Sequence, residues 1–182
     1  MADAKAAVDA VMRQEDARLA GIITNRTSDR GGLTRFGLTA KNHPLLLNAG
    51  FYDPSTDAAT AFKIAETTYQ AEYTGPLFLV QIASQAIATA LLSFAVNEGN
   101  SKAVSLLQRA LLVNGQSVGL DGRMGPATVA AINACDAKQL LNHYCDLEAI
   151  FYAGLAAADP TQKANLKGWL NRVQNDRQLL AS

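Results

Sequence analysis

Few residues in this 182-residue chain carry metal or redox chemistry. There are two cysteines and two histidines. Cys135 and Cys145 do not form a CxxC pair, and His43 and His143 lie far apart, so no metal-ligand spacing is present. The two thiols read as small buried hydrophobes. An excess of either charge is also missing: sixteen Lys and Arg balance sixteen Asp and Glu. Without a basic face, nucleic acid is not expected as the main partner, although a locally charged groove remains open. The N-terminal stretch lacks an apolar h-region, so it does not read as a secretory signal. There is no low-complexity segment and no internal repeat. Strand-like alternation is nearly absent, apart from a short hairpin signal within 22–38.

What is there is apolar and helical. Hydrophobic residues make up 49% of the chain and charged residues 18%, a globular balance. The length suits one domain with a core that needs no staples. One run, Pro76 to Val96, carries no charge and approaches the ~20 residues of a membrane span. Gln81, Gln85, Thr89 and Ser93 recur in it every four residues, however. This pattern predicts one helix, buried on most sides with a single polar edge, and no stable membrane insertion.

Punctuation places the other helices. Ala7, Val8, Val11 and Met12 predict a first helix from about Asp3 to Leu19 or Ala20, stopped by Gly21. Asp57 caps a helix of roughly 58–73, and Ser101 caps one closed by Gly115. Gly125-Pro126 opens another helix, with proline at its first position. Two more follow, about 136–156 and from Thr161 onward, the last amphipathic through Leu166, Trp169, Leu170 and Val173. The fold class expected is all-α, with a small loop-and-hairpin lobe near residues 21–39.

The segment "LLQRALLVNGQSVGLDGRMGPATVAAIN" resembles the predicted peptidoglycan-binding segment of bacterial and phage wall lysins. The shared elements are Leu107 to Leu111, Asp121-Gly122, Gly125-Pro126 and Thr128. Asp121-Gly122 makes a tight turn, because glycine tolerates positive φ and aspartate bonds its own backbone. These residues shape structure more than they touch a substrate. Gly168, Trp169, Leu170 and Arg172 resemble the end of the glycoside hydrolase family 108 lysozymes. Phe94, Val96, Asn97 and Gly99 are similar to a central motif of that family, with Ser93 where it usually has Asp. Near the start, Asp29, Gly31, Gly32, Thr34, Gly37 and Leu38 match the family without a gap. Counting back nine residues from Asp29, the position of the family's catalytic Glu holds Ala20, followed by the matching Gly21.

The resemblance implies a lysozyme-like helical domain, with a catalytic part over 1–100 and a peptidoglycan-binding helical part over 101–182, packed as one unit. It implies a muramidase that cuts between N-acetylmuramic acid and N-acetylglucosamine. The expected partner is the glycan strand of peptidoglycan, the expected state a monomer, and no metal or other cofactor is needed. Release to the wall would use a holin, as for phage endolysins, or a dedicated secretion route. The chemistry needs a carboxylic acid, because the departing alkoxide must be protonated. A glutamate in a partly apolar cleft can stay protonated near neutral pH. Asp29 would activate water or stabilise the oxocarbenium-like transition state, and Thr34 would position that water.

An alanine methyl transfers no proton, so Ala20 needs an explanation. Either the chain is a Glu→Ala inactive variant, or alanine is natural and Glu15 or Asp16 serves instead. The first is preferred here because the rest of the loop fits the chemistry. Glu15 lies about 140° around the same helix, and serving the cleft would require that helix to end early. Candidate substrate contacts are Arg35 for a stem-peptide carboxylate, Tyr73 for stacking, and Gln81, Gln85 and Asn97 along the cleft. Each has a plain structural reading as well: a solvated arginine, a core aromatic, glutamines satisfied between helices, and a helix cap. A non-catalytic peptidoglycan-binding module is the alternative function. Trp169 reads as a core anchor.

Overall fold

A computed structural model of the chain describes residues 1–25 and 32–180, the side chain of Glu15 apart. Among these the fold is mainly α: α1 (Ala4–Glu15), α2 (Pro44–Asn48), α3 (Ala58–Tyr69), α4 (Gln85–Glu98), α5 (Asn100–Val113), α6 (Pro126–Ala134), α7 (Ala137–Ala158) and α8 (Lys163–Arg177). The hairpin of the small lobe pairs β1 (Thr34–Arg35) with β2 (Leu38–Thr39), with Thr34 opposite Thr39. Thr24 bridges the other side of Thr34, so Thr34 is flanked on both edges.

The centre of the molecule is α4. Its residues from Ala86 to Ala95 are all buried, as expected of a helix apolar on every side. It packs against α1, α5, α7 and α8. Phe94 meets Tyr144, Phe151 and Tyr152 of α7, with ring centroids 6.3, 5.4 and 5.5 Å away. Trp169 of α8 stacks on Tyr152 at 5.0 Å. One core cluster therefore runs from Ala2 to Val173. None of the helices among the described residues is long and apolar enough to cross a membrane.

Ser101 does not cap α5, which begins at Asn100 behind Gly99, and two further helix boundaries differ from those expected. The long apolar run is not one helix. Phe78 takes a left-handed φ of 52°, a single 3-10 turn covers Leu79–Gln81, and α4 begins only at Gln85 behind the Ser84 cap. Its expected polar edge is exposed only at Gln85, at the start of the helix; Thr89 is 2% exposed and Ser93 0%.

The second difference concerns α1. It ends at Glu15, well before Leu19 or Ala20. Asp16 is already extended, with φ −144°. Its carboxylate accepts from the backbone N–H groups of Arg18 (3.2 Å) and Gly21 (2.6 Å). Leu19 then takes a φ of 51°. Aspartate can offer the backbone this local alternative to another helical turn, and apolar periodicity does not register it.

Candidate active site

The end of α1, the turn after it, the hairpin and the C-terminal part of α4 come together at one end of the molecule. Two contacts establish this. The Gln14 carbonyl Oε1 accepts from Ser93 Oγ at 3.0 Å, which sets the end of α1 beside α4. Arg35 Nε donates to the Gly21 carbonyl at 2.8 Å, which sets the turn against the hairpin. At the other end of α1, Asp3 N donates to Gln85 Oε1 at 2.7 Å, so the two helices run side by side in the same direction.

This arrangement sorts the residues that the sequence singles out. Glu15 is the last residue of α1 and sits where the helix meets the loop. Asp16 follows, with both carboxylate oxygens engaged in closing the turn. Ala20 lies beyond that turn and is exposed; it does not end the helix. Gly21 takes a φ of +64°, and a Cβ there would meet Phe36 Cζ at 3.1 Å and Arg35 Nε at 3.2 Å. Glycine is thus required both for the conformation and for the close approach to the hairpin. Asp29 and Gly31 lie outside the described residues. The Thr34 hydroxyl donates to the Gly32 carbonyl at 3.2 Å.

Two expected substrate contacts, Arg35 and Tyr73, are corrected by their burial. Arg35 is not a free cation but a buried fastener, 4% exposed. Besides Gly21, it donates to the carbonyls of Phe51 and Thr56, each at 2.8 Å. Tyr73 is buried, its ring 5.7 Å from that of Tyr69, and burial pushes its hydroxyl up to about 12. Gln85 holds Asp3 and donates to Thr89 Oγ1 at 3.3 Å. Gln81 is exposed, and it is its backbone carbonyl that accepts from Asn133 Nδ2 at 2.9 Å. Both glutamines stand by the start of α1, about 18 Å along that helix from Glu15. Asn97 does lie at the site's end of α4. It is half-buried and donates to the Ser93 carbonyl at 3.1 Å, and Glu98 beside it is pushed up by burial against the pull of Lys102.

The comparisons with known proteins decide the family. The glycosyl hydrolase 108 model matches residues 9–99. The chain belongs to the glycosyl hydrolase 108 family. A predicted peptidoglycan domain matches residues 102–174, and the two matches together point to a peptidoglycan hydrolase. The solved structure of Brucella abortus SagA is similar over 97% of this chain and 92% of its own, with a TM-score of 0.75 and 24% identity. That likeness fixes the fold as mainly α and lysozyme-like. No curated protein matches the chain.

Within the glycosyl hydrolase 108 frame, sequence reasoning missed Arg35 as a fastener, and also missed Gln14 and Asp176. Gln14 falls on the same helical face as Ala7 and Val11, and Asp176 on that of Trp169 and Val173. A polar residue on a core stripe signals a buried hydrogen-bond partner. In the peptidoglycan-domain segment, Gln108 is 1% exposed, donates to Asp121 at 2.8 Å and accepts from Gly122 N at 2.9 Å. That motif shapes a turn, as its residues suggest.

Proposed function

We propose that this chain is an endo-acting muramidase, hydrolysing the bond between N-acetylmuramic acid and N-acetylglucosamine, with Glu15 as general acid. One observation carries the reading: α1 ends at Glu15, at the junction of turn, hairpin and α4. The early helix end is the condition under which Glu15, rather than position 20, serves the cleft. Asp16 is the weaker candidate, because its two oxygens already hold the N–H groups of Arg18 and Gly21.

In this reading Glu15 protonates the departing sugar oxygen. Loss of such an acid lowers the rate by about 10²- to 10⁴-fold. Asp29 supplies the second carboxylate, for water activation or for stabilising the developing positive charge. Thr34, bonded to the Gly32 carbonyl, helps place the water. The buried Arg35 keeps the turn and the hairpin at fixed separation.

The test is product chemistry. Purified Gram-negative sacculi are digested with the chain, reduced with borohydride, and the soluble fragments analysed by mass spectrometry. A muramidase leaves reduced N-acetylmuramic acid at the new ends. Reduced N-acetylglucosamine would assign the other glycosidic bond. Sacculus binding with no new reducing ends would assign the chain as a wall-binding module.

A further inference from the structure

The last turn of α1 is gripped from beneath by a residue distant in sequence. Asp176 of α8 is 1% exposed and accepts from Gln14 Nε2 at 2.7 Å. The other end of the same amide, Oε1, accepts from the fully buried Ser93 of α4 at 3.0 Å. We propose that Asp176 is a positioning residue for the acid at the end of α1, holding Glu15 in place through the Gln14 side chain and its Ser93 contact. The proposal rests on the assignment of Glu15 as the acid.

The geometry gives the clamp a direction. An ionised carboxylate only accepts hydrogen bonds, and the Ser93 hydroxyl donates here, so the Gln14 amide has one orientation that satisfies both neighbours. An amide fixed at both ends fixes its own backbone, and the next residue along that backbone is Glu15. A helix terminus frays unless something holds it, and past Glu15 the chain leaves the helix at once. A misplacement of about 1 Å at a catalytic group can lower the rate by about 100-fold. The clamp is thus placed where small motions matter.

Asp176 is also an expensive way to hold a helix, which argues that it does more than fill space. Its Oδ2 is buried without a hydrogen-bond partner among the described residues, and an unmet buried polar group is destabilising. Gln14 of α1, Ser93 of α4, Arg172 of its own helix and Glu148, Tyr144, Tyr152 and Cys145 of α7 surround it or interact with its charge. Asp176 lies outside the segments matched by both family models, 9–99 and 102–174. The C-terminal helix therefore contributes directly to the catalytic end of the molecule, and does not serve only to bind the wall.

The experiment uses the full chain on purified sacculi, with kcat and apparent KM measured separately and folding monitored by circular dichroism. Asp176→Ala should lower kcat by about 10- to 100-fold while KM stays within about 2-fold. Asp176→Asn keeps an acceptor oxygen for Gln14 and should restore kcat to within about 3-fold of the parent. A folded Asp176→Ala with unchanged kcat overturns the proposal. So does a loss that Asp176→Asn fails to restore, or one carried by KM. Should Asp176→Ala fail to fold, Ser93→Ala decides: it frees the other end of the amide and should lower kcat by about 3- to 10-fold at constant KM, and an unchanged kcat refutes the clamp. Glu15→Gln, run alongside, separates the two claims. If it is inactive while the clamp variants keep full kcat, only the clamp fails; if it keeps full activity, the acid assignment fails and the proposal with it.

Discussion

Replacing Arg35 by methionine tests whether this residue is a fastener or a substrate contact. Methionine keeps much of the length and none of the donors. The substitution removes three hydrogen bonds of 2.8 Å from a charged donor to the carbonyls of Gly21, Phe51 and Thr56. Bonds to charged groups contribute about 1.5–3 kcal/mol each. Two effects reduce the sum. The Thr56 bond is only partly buried, so water can replace it. Burying a guanidinium itself costs several kcal/mol, which the variant recovers. A net loss of about 3 kcal/mol remains. For a chain of this size that lowers Tm by about 6–12 °C, leaving the fold intact. Arg35→Lys should recover less than half of the loss, since one ammonium cannot reproduce a planar fork aimed at three carbonyls. Thermal melts by circular dichroism, with sacculus co-sedimentation in parallel, provide the assay. If both variants melt within about 2 °C of the parent but bind sacculi more weakly, the fastener is refuted, and Arg35 is a receptor for the stem peptide after all.

Two further predictions concern the C-terminal half. Gly122 has a φ of +66°, and a Cβ there would lie 2.9 Å from the Ser101 carbonyl oxygen and 2.7 Å from its hydroxyl; Gly122→Ala should destabilise by about 2 kcal/mol or more in urea unfolding, and a change below about 0.5 kcal/mol would show that the turn relaxes freely. Burial raises the Asp176 carboxyl from 3.8 to about 6, against the pull of its bond to Gln14 and of the nearby Ser93 hydroxyl and Arg172. The folded chain therefore binds that proton more tightly than the unfolded chain does, so this group's contribution is full below about pH 4 and declines as pH rises towards about 6. Asp176→Asn lacks the decline, so its Tm relative to the parent should rise between pH 4 and pH 6.5; a constant difference would mean that Asp176 titrates as it does in water.

The helical class, the hairpin signal within 22–38 and several caps are legible in the sequence because they depend on local chemistry. Asp57 accepts from the N–H groups of Ala59 and Thr60, and Pro126 opens α6 at its first position. The failures are those of non-local packing and of side chains that compete with the backbone. Asp16 ends α1 early through hydrogen bonds that apolar spacing cannot show, and the proposal of Glu15 as the acid follows from that early end. The four-residue recurrence of polar residues in 81–93 suggests a wet edge. In the folded chain Thr89 and Ser93 are dry because Gln85 and Gln14 satisfy them. Arg35 looks like a solvated cation beside a loop, and nothing nearby in sequence reveals that three backbone carbonyls converge on it. Gln14 and Asp176 are legible only as polar residues on apolar stripes, and their pairing across α1 and α8 is visible only in three dimensions.

The central claim is the identity of the acid, and one comparison tests it most directly. New reducing ends released from purified sacculi are counted for the parent chain, Glu15→Gln and Ala20→Glu. The parent should cut, Glu15→Gln should lose about 100-fold or more, and Ala20→Glu should gain nothing, because position 20 lies past the turn that Asp16 closes. An inactive parent that gains activity through Ala20→Glu would contradict the account, returning the acid to position 20 and making the chain an inactivated form.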